Sequence, residues 1–566
     1  MKTTTARLFV IGFLFLVGSC KQKSAAPSRE VINQINLKRG PVLTCRSVDS
    51  KFGEVDFETS CGSQTREDFN LALKLLHSFE YDEAEKVFAK VIDANPGCAM
   101  AYWGAAMANF HPLWAPPTEP ELKKGLKAIQ IGQSIPDKTK KESAYINALA
   151  AFYQDWEKTP HKVRCLTFEK AMAALHANFP ADKEAAIFYA LALTAAADPA
   201  DKQYVKQKNA GRLLNTLYPD EPNHPGIIHY IIHTYDYPEL AALALPAARK
   251  YAAVAPASAH ALHMPSHIFT RLGLWEECIQ SNKASVAAAQ CYAETVGLKG
   301  HWDEELHGLD YLVYAYLQRG ENSLAKQQWD YLNGMREVTP QNFKVAYAYA
   351  AIPARYVLEN KHWPEAATLP VTRAGFSWET YPWQKAIIHF TRLLGLVHAG
   401  NQDSATAELT ELKRLRGKLL SQKDAYKANQ VEIQIVASEA WLRWATGRNG
   451  EALALMKKAA ELEDKTEKHP VTPSEVIPAR ELLGDLLLQM NQPQQALAAY
   501  EANLQKHPNR FNGLYGAGQA AEKSGNLDKA EQYYQQLLQV ANTANSDRPE
   551  LDAAKRFIQL RKSVQS

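Results

Sequence analysis

From residue 65 onward the apolar positions recur at helical spacing, and the loop signals between helical stretches are short. That patterning predicts a chain of paired helices with almost no strand. Two regions near the start differ. Residues 8 to 17 form one unbroken apolar stretch behind Lys2 and Arg7, and residues 21 to about 64 show little periodicity, as a tether leading into a loop would. At the far end Leu551, Phe557, Ile558 and Leu560 fall on one stripe, which predicts a capping helix.

The helical part repeats itself. Gly484, Ala496, Tyr500 and Pro508 return 34 residues later as Gly518, Ala530, Tyr534 and Asn542. Small side chains let antiparallel helices approach, the aromatic fills the gap against the next pair, and Pro ends a helix. Ala84, Phe88 and Pro96 carry the same marks near the start. Weaker copies pair a turn glycine with an alanine five residues on: Gly320 with Ala325, Gly400 with Ala405, Gly447 with Ala452. The pattern resembles the tetratricopeptide repeat. The resemblance implies an all-α, right-handed superhelix (solenoid) of helix pairs with a concave binding surface.

At about 150 residues per domain, 566 residues would make three to four units. Stacked repeats replace that count with one elongated body. The expected order is a signal peptide over 1–19, a lipid-attached tether and loop over 20–64, and N-terminal repeat-like helices over 65–215. Histidine-rich helical repeats follow over 216–310, degenerate repeats over 311–474, two clear repeats over 475–545, and a capping helix and tail over 546–566. Hydrophobic residues at 46% and charged residues at 22% exclude wholesale disorder. A net charge of +3 gives no general attraction to nucleic acid, so partners must be sought locally.

The apolar stretch at 8–17 is too short to span a bilayer, which takes about 20 residues, and reads as a secretory signal. Val17-Gly18-Ser19-Cys20 resembles the lipobox of bacterial lipoproteins, which implies Cys20 as the site of lipid (palmitate) attachment. The expected address is the cell envelope, at the outer membrane of a Gram-negative bacterium. In an oxidising compartment Cys45 and Cys61 are candidates for a disulfide closing the loop. Cys278 and Cys291 fall on one predicted helix, about 20 Å apart at 1.5 Å per residue, and read as small core residues.

Eight of the 17 histidines, at 224, 229, 233, 260, 263, 267, 301 and 307, lie within 84 residues. His229 and His233 are four apart, as are His263 and His267. On a helix each pair shares one face with Cβ atoms about 6 Å apart, the spacing by which two imidazoles chelate one metal ion. The blocks His224-Pro225-Gly226-x-x-His229-x-x-x-His233 and His260-x-Leu262-His263-Met264-Pro265-Ser266-His267-Ile268 resemble those of long bacterial repeat proteins of unassigned activity. That likeness implies fold and leaves activity open.

Two readings of the cluster follow. In one, His229, His233, His263 and His267 hold Zn or another divalent metal, with Asp236, His307 or Asp310 as further ligand or base, and an open position activates water for hydrolysis. In the other, the imidazoles are half-buried hydrogen-bonding groups where repeats stack irregularly. The lack of a His-Glu-x-x-His motif favours the second. The sequence therefore points first to a membrane-anchored repeat lipoprotein that binds a protein or peptide partner in an envelope complex, such as one for polysaccharide uptake or degradation. A metal-dependent hydrolase is the alternative.

Overall fold

The computed structural model describes residues 26–45, 52–113, 116–542 and 546–565. The apolar stretch at 8–17 and Cys20 lie outside these residues. Helices follow one another in antiparallel pairs, from Arg66–His77 with Tyr81–Ala94 to Phe511–Lys523 with Leu527–Val540, and Pro549–Gln565 packs on the last. Among the described residues, extended pairing is confined to His301–Trp302 beside Val338–Thr339 and one bridge between Arg373 and Phe376. The protein is an all-α solenoid.

The repeat chemistry is visible where aromatics meet glycines. Tyr500 is fully buried, and a Cβ on Gly484 or Gly516 would stand 2.6 or 2.4 Å from its ring. One aromatic is thus wedged between two successive A helices. Phe88 fills the same role against Gly104, where a Cβ would come within 2.2 Å. Any larger residue at these glycines would overpack the stack, at about 1–3 kcal/mol.

The solenoid curls until its C-terminal repeats dock on its middle. The buried Arg510 guanidinium donates to Glu359 and Glu481 at 2.8 Å and to the Tyr314 hydroxyl at 3.0 Å. Trp275 Nε1 donates to the Asn509 carbonyl at 2.8 Å. Inside the curl lies the non-helical chain between Asn449–Asp464 and Ala479–Gln489. Its Ser474 carbonyl accepts from Arg355 Nη2 at 2.8 Å, its His469 ring stacks on Phe343 at 4.3 Å, and its Lys468 Nζ reaches Asp236 at 3.0 Å. The chain fills its own concave face with its own loop.

The N-terminal segment corrects two expectations. Residues 26–45 and 52–61 do not hang as a tether: Ile32, Ile35, Phe52 and Phe57 are buried, and Lys38 N donates to Glu85 Oε1 at 2.7 Å. Cys45 does not pair with Cys61. Cys45 bonds Cys291, with Cα atoms 5.1 Å apart, and Cys61 bonds Cys98, at 4.7 Å. The segment lies across the helical body, so each cysteine finds its partner on a helix beneath it. Cys278 and Cys291 do share the helix Trp275–Thr295; Cys278 is a buried free thiol, whereas Cys291 belongs to a bridge. Peptide mapping of unreduced protein should recover Cys45 linked to Cys291 and Cys61 linked to Cys98. A peptide joining Cys45 to Cys61 would contradict this arrangement.

Candidate metal centre

Helix Pro225–Thr234 starts on a side-chain cap, with Ile227 N donating to His224 Nδ1 at 3.4 Å, and it carries His229 and His233 one turn apart. Ala259–His263 and Pro265–Leu272 run on through Met264, which keeps right-handed helical angles. Pro265 restarts the helix where its missing N–H costs nothing. His260, His263 and His267 therefore remain in helical register, and Asp303–Gln318 adds His307.

The structure sorts these six imidazoles into two trios. His229, His233 and His260 form one, and His263, His267 and His307 the other; within each, one ligand atom per residue lies within 4.8 Å of the others. In the first trio His229 Nε2 is 3.0 Å from His233 Nε2 and 3.1 Å from His260 Nε2. In the second, His263 Nε2 and His267 Nε2 stand 3.1 Å apart.

Partners at the far nitrogens decide where the protons sit. His229 Nδ1–H donates to the His77 carbonyl at 2.6 Å, which leaves Nε2 bare. His263 Nδ1–H donates to Asn282 Oδ1 at 2.7 Å; the Asn282 amide is oriented by its own donation to the Cys278 carbonyl at 2.8 Å. His267 Nδ1–H donates to Asp236 Oδ2 at 3.0 Å. His263 and His267 thus turn two bare lone pairs toward each other. The Tyr311 hydroxyl, 3.3 Å from His267 Nε2, can reach only one of them. In the first trio the His229 Nε2 lone pair faces the Nε2 atoms of both His233 and His260.

Such repulsion is relieved by a cation between the nitrogens. Two nitrogens each about 2.0–2.1 Å from one tetrahedral ion are about 3.3–3.4 Å apart, close to the spacing here. Acceptors behind ligating imidazoles are the usual means of fixing their tautomer and raising their basicity. Burial holds the His229, His233, His263 and His307 imidazoles well below their usual pKa and pushes His260 down to about 3. At neutral pH they are uncharged, the form that binds metal.

A third group shows the contrast. Glu184 accepts from His77 Nε2 at 3.0 Å and from His224 Nε2 at 2.8 Å, and the Tyr230 hydroxyl donates to His77 Nδ1 at 2.9 Å. Burial would raise the Glu184 carboxyl, but the two imidazoles hold it well below the usual range. Every nitrogen here has a complementary partner, so this group is complete as a hydrogen-bond network.

Asp236 serves as a support. Its oxygens are taken by His267, by Arg271 Nε at 2.9 Å and by Lys468 Nζ at 3.0 Å. Burial opposes its ionisation, and Lys468 and Arg271 overcome that. Burial in turn lowers the Lys468 ammonium to about 8. Asp310 joins neither trio: it is buried with no hydrogen bond at either oxygen, Arg355 Nε is 3.9 Å away, and burial raises its carboxyl to about 6.

A cavity of about 20 Å³ lies between the trios, lined by His233 and His260 from one, His267 and His307 from the other, and by Glu304 and Lys344. That volume holds one small molecule. Glu304 Oε2 is buried without a hydrogen-bond partner. His233 also lines a cleft of about 290 Å³ together with Tyr237, Tyr426, Lys468 and His469. Phe79 packs its ring 4.4 Å from that of His229 and holds φ at +59°, a conformation rare for a bulky residue.

The tetratricopeptide-repeat family model matches residues 69–111 and 482–547. No curated protein matches the chain. Among solved structures, a human IFIT1 dimer with m7Gppp-AAAA is similar at 11% identity and a TM-score of 0.34, over 83% of this chain and 95% of that one. A human IFIT1 dimer with PPP-AAAA is similar at 12% identity and a TM-score of 0.33, over the same shares of 83% and 95%. The chain carries tetratricopeptide repeats, recognised toward its two ends, with both histidine trios in the stretch between them.

Proposed function

We propose that this is a lipid-anchored, extracytoplasmic repeat protein whose working part is a metal centre, and that it acts as a metal-dependent enzyme. The observation that carries the reading is the approach of the His263 and His267 Nε2 atoms to 3.1 Å while their Nδ1 atoms face Asn282 Oδ1 and Asp236 Oδ2, partners that assign the protons to Nδ1 and leave the Tyr311 hydroxyl as the one donor shared by two acceptors. A packing histidine has no reason to turn a lone pair on another; a ligand does. Each trio supplies three nitrogens and leaves a coordination position open, as catalytic metal sites do. The cleft at His233 offers the approach for a substrate.

Hydrolysis is the reaction favoured by Glu304. Its unpartnered oxygen shares the cavity with four of the imidazoles, where it could take a proton from a metal-bound water. Lys344 Nζ, 2.5 Å from the other oxygen, fixes the carboxylate.

A binding component of an envelope assembly, serving polymer uptake, is the second reading. Its support is the repeats themselves, since tetratricopeptide repeats form a protein-binding scaffold. The self-filled concave face restricts that role. Lys468, His469 and Ser474 occupy the surface where a peptide would lie, so a partner would dock on outer faces.

Protein purified without a histidine tag should carry stoichiometric transition metal, which His229→Ala and His263→Ala each reduce. Asn282→Ala, which leaves all six imidazoles in place, should weaken metal affinity about 10- to 100-fold. Native protein free of metal, and unable to take it up, would contradict the proposal. The address is tested separately. Cys20→Ala should move the protein from the membrane fraction to the soluble fraction; unchanged membrane retention would refute lipid anchoring.

A further inference from the structure

We infer that the two histidine trios form a single dinuclear copper centre whose small ligand is dioxygen. The inference rests on the metal reading above, though not on hydrolysis, and gives the centre a particular metal and reactant.

The first support is adjacency. His260 and His263 are three residues apart in one helical register, yet they serve different trios. The rings of His233 and His267, one from each trio, are 6.3 Å apart. Two imidazoles of each trio line the same cavity of about 20 Å³. A diatomic molecule held there would lie within reach of both ions.

Ligand type narrows the metal. All six ligands are imidazoles, and neither trio contains a carboxylate. Oxygen-seeking ions such as Mg²⁺, Ca²⁺ and Mn²⁺ are poorly served, whereas imidazole suits Zn, Cu, Fe and Ni, with copper at the top of the divalent affinity order. Three neutral nitrogens hold copper(I) in a three-coordinate site with room for a further ligand. A structural zinc site would ask for a fourth protein ligand.

Charge supplies the third argument. Beside the centre Asp236 is paired with Arg271 and Lys468, and Asp303 and Glu304 are paired with Lys344. Six neutral ligands add nothing, so two divalent ions would place four positive charges on the centre, a costly burial. Two copper(I) ions place two. When dioxygen enters, each copper gives up one electron and becomes copper(II). The oxygen–oxygen double bond becomes the single bond of peroxide, and no proton is required. Four positive charges on copper and two negative charges on peroxide again leave two, so the reaction does not change the net charge of the buried site.

The test uses the full chain without a histidine tag, loaded with copper(I) under nitrogen and then exposed to air. The expected result is two coppers per chain, one dioxygen consumed per two coppers, a new near-ultraviolet charge-transfer band and no copper EPR signal, because the two copper(II) spins couple. His307→Ala should retain half the copper and show an isolated copper(II) signal after air. If that variant does not fold, as judged by circular dichroism, spin counting on the unaltered chain decides alone. An EPR signal accounting for all the bound copper, or copper uptake without dioxygen consumption, would overturn the inference. Retention of zinc or iron with no copper bound would overturn it while leaving the metal reading in place. Failure to bind any metal would overturn both.

Discussion

Two imidazole lone pairs pointed at each other across 3.1 Å in the buried interior are the constraint around which the middle of this molecule is arranged. Neutral histidine carries one proton, and here Asn282 and Asp236 claim it from behind on His263 and His267. The His77 carbonyl does the same to His229. Each supporting group is itself fixed, Asn282 by the Cys278 carbonyl and Asp236 by Arg271 and Lys468. Burial keeps the imidazoles from gaining a second proton that would ease the contact. A cation between the nitrogens turns that contact into attraction.

The solenoid explains how such a site can be buried. Repeat proteins ordinarily present an open concave face. Here the C-terminal repeats dock through Arg510 and Trp275, and the chain between Asp464 and Ala479 enters the curl. Lys468 arrives by that route, 232 residues from the Asp236 it neutralises. The two bridges pin the N-terminal segment on the other side. Fold closure and site electrostatics are one feature: if the loop left, Asp236 would lose a cation and the cleft beside His233 would open to solvent.

What could be read from the sequence follows the range of each interaction. The glycines facing Tyr500 and Phe88 were legible because helix-to-helix approach leaves a fixed local spacing. The pairs His229 with His233 and His263 with His267 were legible for the same reason, since four residues make one helical turn. Of the third members, His307 stood among the candidate further ligands, whereas the role of His260 could not be read. His260 turns away from His263 toward the neighbouring helix, and His307 comes from a helix 40 residues further on; both depend on how helices rotate against one another. Asp236 stood out as a candidate ligand, yet only the packed structure shows it supporting His267 from behind. Glu304 and Lys468 carried no sequence signal, because their roles arise from chain closure. The cysteines make the same point: Cys45 and Cys61 are near in sequence, but each is bonded to a helix that the segment crosses.

The central claim is that the trios, and not the His77–Glu184–His224 group, hold metal. Anomalous diffraction from crystals of protein purified without added metal tests it most directly. The account predicts peaks about 2 Å from the Nε2 atoms of the trios and none beside Glu184. Trios without anomalous density after incubation with transition-metal salts, or density only at Glu184, would contradict it.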